Sequence, residues 1–150
     1  MRACRGTSLM EVLVTVVVLS VGLLGLAGLQ AAGQRNAHHA YLRSQAVVLA
    51  YDILDRMRAN PAGVRAGAYD AIGGPVPDPG CIQVGCAPGQ LAQHDAHEWQ
   101  QAIRTQLPGG SGTVSRSGTR FQILVAWDEK GATGTGCPAG RMCLILEAMP

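Results

Sequence analysis

The sequence predicts an α+β fold in which a long N-terminal helix, membrane-spanning in its first half, packs by its second half on a small antiparallel sheet. Three observations predict it. Residues 12–29 carry no charge, apolar residues then recur at helical spacing as far as Met57, and beyond residue 113 the apolar period drops to two.

The uncharged run is interrupted only by Thr15 and Ser20 among its Val, Leu, Gly and Ala residues. At about 1.5 Å of rise per residue it covers about 27 Å, close to the ~30 Å hydrocarbon core of a bilayer. A core helix of a water-soluble domain would show a polar face, and this one shows none. Glu11 stands one position before the run. A carboxylate in hydrocarbon costs roughly 2.5–3.5 kcal/mol on insertion scales, so it needs a partner, a proton, or a place at the interface to which it can snorkel. Gly22, Gly25 and Gly28 each weaken the helix by about 1 kcal/mol relative to Ala, and small residues also allow another helix to approach closely.

Past the span, Leu42, Ala46, Leu49, Ile53 and Met57 form a stripe that Ala50 and Leu54 widen, while Arg43, Gln45, Asp52 and Arg56 fall elsewhere. One face is therefore made to be covered. Asn60-Pro61 ends the helix, predicted over residues 8–59, because proline disfavours helical geometry in the residue before it and lacks an amide hydrogen. Residues 61–90, rich in Gly, Pro and Ala, read as loop. A second helix is predicted to start near Asp95, with Asp95 as cap and Glu98 completing a capping box. Ala96, Trp99, Ile103 and Leu107 are its buried stripe, and Pro108-Gly109-Gly110 ends it. Then Phe121, Ile123, Val125 and Trp127 alternate with Gln122, Leu124 and Ala126. Met142, Leu144, Leu146 and Ala148 do the same, and Val114 marks a weaker strand before them. Three strands with Gly-rich turns make a sheet whose apolar face finds its partner in the stripe of the long helix.

Little in the chain points to chemistry. His94 and His97 lie three apart, but HDAHE matches neither zinc-protease helix motif, and a surface position near the helix start suits both. His38 and His39 follow the span as an interfacial pair. The GGSG at 109–112 follows a helix and lacks a phosphate-loop lysine, so it is a turn. No Ser sits in G-x-S-x-G, and Asp128-Glu129 stand solvated at a strand end. No cofactor is indicated. With one Phe, two Trp and three Tyr there is little surface for stacking bases or sugars, and no Lys/Arg cluster forms a phosphate track, so no nucleic acid is expected as partner.

The N-terminus MRACRG-T, with Glu11 fifth after the Gly6–Thr7 junction and about twenty apolar residues next, resembles a type IV prepilin. The segments RMRANPAGVRAGAYD at 56–70 and HDAHEWQQAIRTQLPGGSGTV at 94–114 resemble the PilV-like pilus modification proteins, which are minor pilins. The resemblance implies a pilin-like fold with a leader at 1–6, a transmembrane and filament-core helix at 7–29, and a periplasmic domain at 30–150. It implies a non-enzymatic structural subunit, cut by prepilin peptidase between Gly6 and Thr7 and N-methylated at Thr7, although most members carry Phe where Thr7 stands. Glu11 would then meet the N-terminal amine of a neighbouring subunit, each charge neutralising the other. The implied partners are prepilin peptidase, other minor pilins, the major pilin and the inner membrane. In such proteins the segment with the three glycines loosens as the subunit enters the filament.

Loss of the leader would remove Arg2, Arg5 and Cys4, leaving ten basic against ten acidic side chains and four cysteines, Cys81, Cys86, Cys137 and Cys143. In an oxidising compartment four cysteines read as two disulfides with three possible pairings; the short loops favour Cys81 with Cys86 and Cys137 with Cys143, and the crossed arrangements stay open. A four-thiolate zinc site is the rival, against which the four- and five-residue gaps within each pair are wider than usual. Arg2 and Arg5 favour a cytoplasmic N-terminus and so a domain beyond the inner membrane, with Arg35 and Arg43 pulling the other way. A secretory signal peptide is the simpler alternative, but Gln30-Ala31-Ala32 is a poor cleavage site. A type II secretion pseudopilin would share leader and layout, and Asp128 and Glu129 would then be sought in a calcium site. A membrane-tethered periplasmic enzyme or metal-binding domain would need His94, His97 and the cysteines to converge.

Overall fold

The computed structural model describes residues 9–129 and 136–150. The leader and the Gly6–Thr7 junction lie outside the described residues. In chain order the elements are α1 (Leu9–Ala59), α2 (Pro61–Arg65), β1 (Ala71–Gly73), α3 (Cys81–Val84), α4 (Pro88–Gln106), β2 (Ser111–Ser117), β3 (Arg120–Asp128) and β4 (Arg141–Ala148). The chain divides into two compact units, Met1–Ala40 and Tyr41–Pro150.

The described part of the first unit is helix throughout, apolar as far as Leu29. Every side chain from Leu9 to Leu29 is exposed among the described residues. The second unit carries the core. On its part of α1 the buried residues are Leu42, Ala46, Leu49, Ala50, Ile53, Leu54 and Met57, the face the three- and four-residue spacing selects. They meet Ala92, Ala96, Trp99 and Ile103 of α4 and the apolar face of the sheet in one cluster. Trp99 is fully buried, and its indole N–H donates to the carbonyl of Leu49 at 2.8 Å, so burying the largest side chain of α4 leaves no orphaned donor.

The sheet is an antiparallel meander in the order β1-β2-β3-β4. Its register pairs Ile72 with Val114, Val114 with Ile123, Val125 with Leu144 and Trp127 with Met142. Alternation along each strand therefore puts Val114, Phe121, Ile123, Val125 and Trp127 on one buried face. On β4 the matching residues Met142, Leu144, Leu146 and Ala148 are only partly covered. Gly112 of β2 lies where a Cβ would come within 2.5 Å of both the Trp99 ring and Ile103, so glycine is what lets this strand reach α4.

Three expectations need correction. The second helix begins at Pro88, not near Asp95. Proline occupies its first turn, where no amide hydrogen is needed, and the Gln90 side-chain oxygen accepts from the Ala87 amide at 3.1 Å. Asp95 is buried inside the helix and its carboxylate serves Tyr69 instead of a helix end. Second, residues 61–90 are not one loop. Asn60 stops α1 and caps α2, its side-chain oxygen accepting from the Gly63 amide at 3.0 Å, and β1, α3 and the first turn of α4 follow. Third, the sheet has four strands among the described residues; β1 is three residues long, too short to show an alternation.

Candidate functional site

In the first unit the candidate site is the apolar face of α1 itself. Thr15 donates its hydroxyl to the Val12 carbonyl at 2.8 Å and Ser20 to Val16 at 2.7 Å. Both hydroxyls are thus satisfied inside the helix, which is what an apolar surrounding requires. A Cβ on Gly22, Gly25 or Gly28 would meet no neighbour within 4 Å, so among the described residues these glycines answer no packing need. Glu11 lies in the first turn of α1 and is exposed.

In the second unit a polar knot fastens the end of α1 to α2 and α4. Asn60 donates to the Pro88 carbonyl at 2.8 Å and to the Tyr69 hydroxyl at 3.2 Å. That hydroxyl in turn donates to Asp95, which lies 3.5 Å from Arg56, and Arg56 pairs with Asp52 at 3.1 Å. Burial first, and then the Asp95 carboxylate, push the Tyr69 hydroxyl far above its ordinary pKa, so it stays a donor. Nothing in the order of these residues signals the knot, since its links join positions 9, 26 and 28 apart. The one local cue is Asn60 before Pro61.

A strap from Val76 to Cys86 lies along α4. His97 donates its Nδ1 proton to the Val76 carbonyl at 2.7 Å, Gln93 donates to Pro77 at 3.0 Å, and His94 Nδ1 pairs with Asp78 at 3.0 Å. The Gly80 amide and then His94 hold Asp78 below the usual carboxylate range. Both histidines are thus occupied in fastening the strap. Cys81 and Cys86 form a disulfide with Cα atoms 5.1 Å apart, and Cys137 and Cys143 form another at 5.4 Å. The four sulfurs are therefore not free thiolates, and among the described residues no three His, Cys, Asp or Glu side chains gather as metal ligands. Asp128 accepts from Arg141 at 2.9 Å, and Glu129 accepts from the Trp127 indole at 3.0 Å. Arg141 also donates to Ser111 at 2.8 Å, to Ala126 at 3.2 Å and to the Gly109 carbonyl, clamping β4 to the α4–β2 turn. Each of these polar groups is accounted for by holding the fold.

Residues 28–97 match a family model described as Tt1218-like, type IV pilin Tt1218. The match supports a type IV pilin. It covers just under half of the chain, from the end of the apolar run through the buried stripe, the knot and the strap to His97, so the apolar composition of residues 12–27 plays no part in it. No curated protein and no solved structure matches the chain. A pilin family points to a structural, non-enzymatic subunit that assembles with other pilins, and the apolar helix is long enough to cross a membrane, consistent with membrane anchoring and incorporation into a pilus.

Proposed function

We propose that this chain is a minor pilin of the PilV-like kind. A prepilin peptidase removes residues 1–6, Thr7 becomes the methylated N-terminus, and the span holds the subunit in the inner membrane with its domain in the periplasm until it joins other minor pilins and the major pilin. The observation that carries the reading is continuity: the segment matching a type IV pilin runs directly out of an apolar helix whose first turn bears Glu11. The working parts are physical. Val, Leu and Gly of the span pack against neighbouring spans, and Glu11 finds the amine of an adjacent subunit, an ion pair that is tolerable in an apolar surrounding only because both partners are present.

Glu11→Ala tests it. Removing the carboxylate strands the partner's amine, so the variant is expected to be processed and to accumulate in the membrane normally while its amount in sheared surface filaments falls at least about tenfold, the order expected for breaking a buried pair. Equal recovery of the variant and the wild type in filaments would refute the role of Glu11. Recovery of neither would refute the pilin reading.

A further inference from the structure

Among the exposed large apolar side chains, Ile82 is the most exposed, at 82 %. It does not hang on a loose loop. It is the second residue of α3, inside the ring closed by the Cys81–Cys86 disulfide, with Gly80 and Gly85 at positive φ on either side. The strap that carries it is fastened to α4 through His97, His94 and Gln93. A pre-organised apolar knob loses little conformational freedom on binding, which is the property of an anchor residue. Asp78, four residues earlier on the same strap, keeps its carboxylate charged and 43 % exposed, with His94 at 3.0 Å.

Elsewhere in the same unit lies an open groove of about 270 Å³, more than one isoleucine side chain fills. Met57, Pro61, Val64 and Pro150 give it an apolar floor, and Arg58 and Arg65 stand on its rim. Arg58 is paired with Asp55 at 3.1 Å, whereas Arg65 is exposed and has no ion-pair partner among the described residues. The knob thus carries an anion, and the groove a spare cation.

We propose that Ile82 of one copy of this chain seats in the Met57–Val64–Pro150 groove of a second copy, with Asp78 facing Arg65. Knob and groove are different patches, so the contact is heterologous and repeats head to tail instead of closing on itself, the kind of contact a filament uses. The inference rests on the structural-subunit reading and adds a partner to it, a second copy. Apolar burial supplies the attraction, and the charge pair fixes the orientation.

The test places a photo-crosslinking benzoylphenylalanine at position 82 of the full chain in membranes that also contain prepilin peptidase, and maps the adduct by mass spectrometry. The expected product is a dimer joined from position 82 to residues 57–65 or to Pro150 of the second copy. Arg65→Glu, a change at an exposed site, should lower its yield at least about threefold, whereas Arg65→Lys, which keeps the charge, should leave it close to the wild-type level. Adducts to a different protein, adducts elsewhere on this chain, or no dimer would each overturn the contact. N-terminal sequencing of the same sample reads the pilin assignment separately, since an uncut leader counts against that assignment while the adduct map still decides the contact.

Discussion

The two halves of α1 are built from the same few residue types and do opposite things. From Leu9 to Leu29 the apolar residues surround the helix and not one is buried within this chain; from Leu42 to Met57 a stripe of them, Leu42, Ala46, Leu49, Ala50, Ile53, Leu54 and Met57, is buried, while Val48 and Tyr51 off the stripe stay exposed. The difference is where polar residues stand: no residue from Val12 to Leu29 is charged, whereas Arg43, Gln45, Asp52 and Arg56 fall outside the stripe. An apolar surface without a polar face needs an apolar environment from outside, lipid or other helices, whereas a stripe needs one only on the side its own domain supplies. The lesson is that a helix can be assigned two partners by where its polar residues resume, in this chain at Gln30 and Arg35.

The sharpest way to break that contrast is a pair of truncations. Trp99→Ala removes the side chain against which the stripe packs, and the indole bond to Leu49; it should cost about 3–5 kcal/mol and abolish or sharply lower the melting transition of the domain. Leu19→Ala, in the first half, should leave that transition within about 0.5 kcal/mol. Circular-dichroism melts of both full-length variants in detergent decide it, and equal effects would erase the distinction between the halves.

The knot at the end of α1 gives a prediction with a sign. Folding holds the Tyr69 proton more tightly than the unfolded chain does, so stability is complete below the ordinary tyrosine pKa of about 10 and falls as pH rises beyond it. Tyr69→Phe should abolish this decline and, by leaving Asn60 and Asp95 without their shared hydroxyl, cost about 1–3 kcal/mol at neutral pH. Denaturant midpoints followed by Trp fluorescence between pH 8 and 11 read both effects. A wild-type midpoint that stays level across that range would contradict the burial of Tyr69.

Smaller again is the effect of crowding the α4–sheet contact. Gly112→Ala puts a methyl where Trp99 and Ile103 already stand, and should cost about 1–2 kcal/mol by overpacking, with the Trp near-ultraviolet signal altered. An unchanged melt would mean that β2 has room to move away from α4.

Much of this was legible in the sequence because it is periodic. The apolar run, every residue of the buried stripe, the stop at Asn60-Pro61, the buried face of β3 and the partly covered face of β4 all follow from spacing. What escaped has no period. Pro88-Gly89 reads as loop until Gln90 is seen accepting from the Ala87 amide, and Asp95 reads as a cap until Tyr69 is seen to need an acceptor. Arg141 looks like an ordinary turn cation, yet its guanidinium spans Asp128, Ser111 and two carbonyls. Of the candidate site residues, the structure places Glu11 in the first turn of α1 and joins the four cysteines in two disulfides. Long-range polar pairing depends on the fold being formed first, and local sequence carries no trace of it.

The central claim is that the apolar half of α1 is a pilin assembly segment and not a simple anchor. The measurement that tests it most directly is the N-terminal sequence and intact mass of the membrane protein made with and without prepilin peptidase. The account predicts a peptidase-dependent loss of MRACRG that leaves Thr7 first. A leader retained in both preparations, or a cut near Ala32, would contradict it.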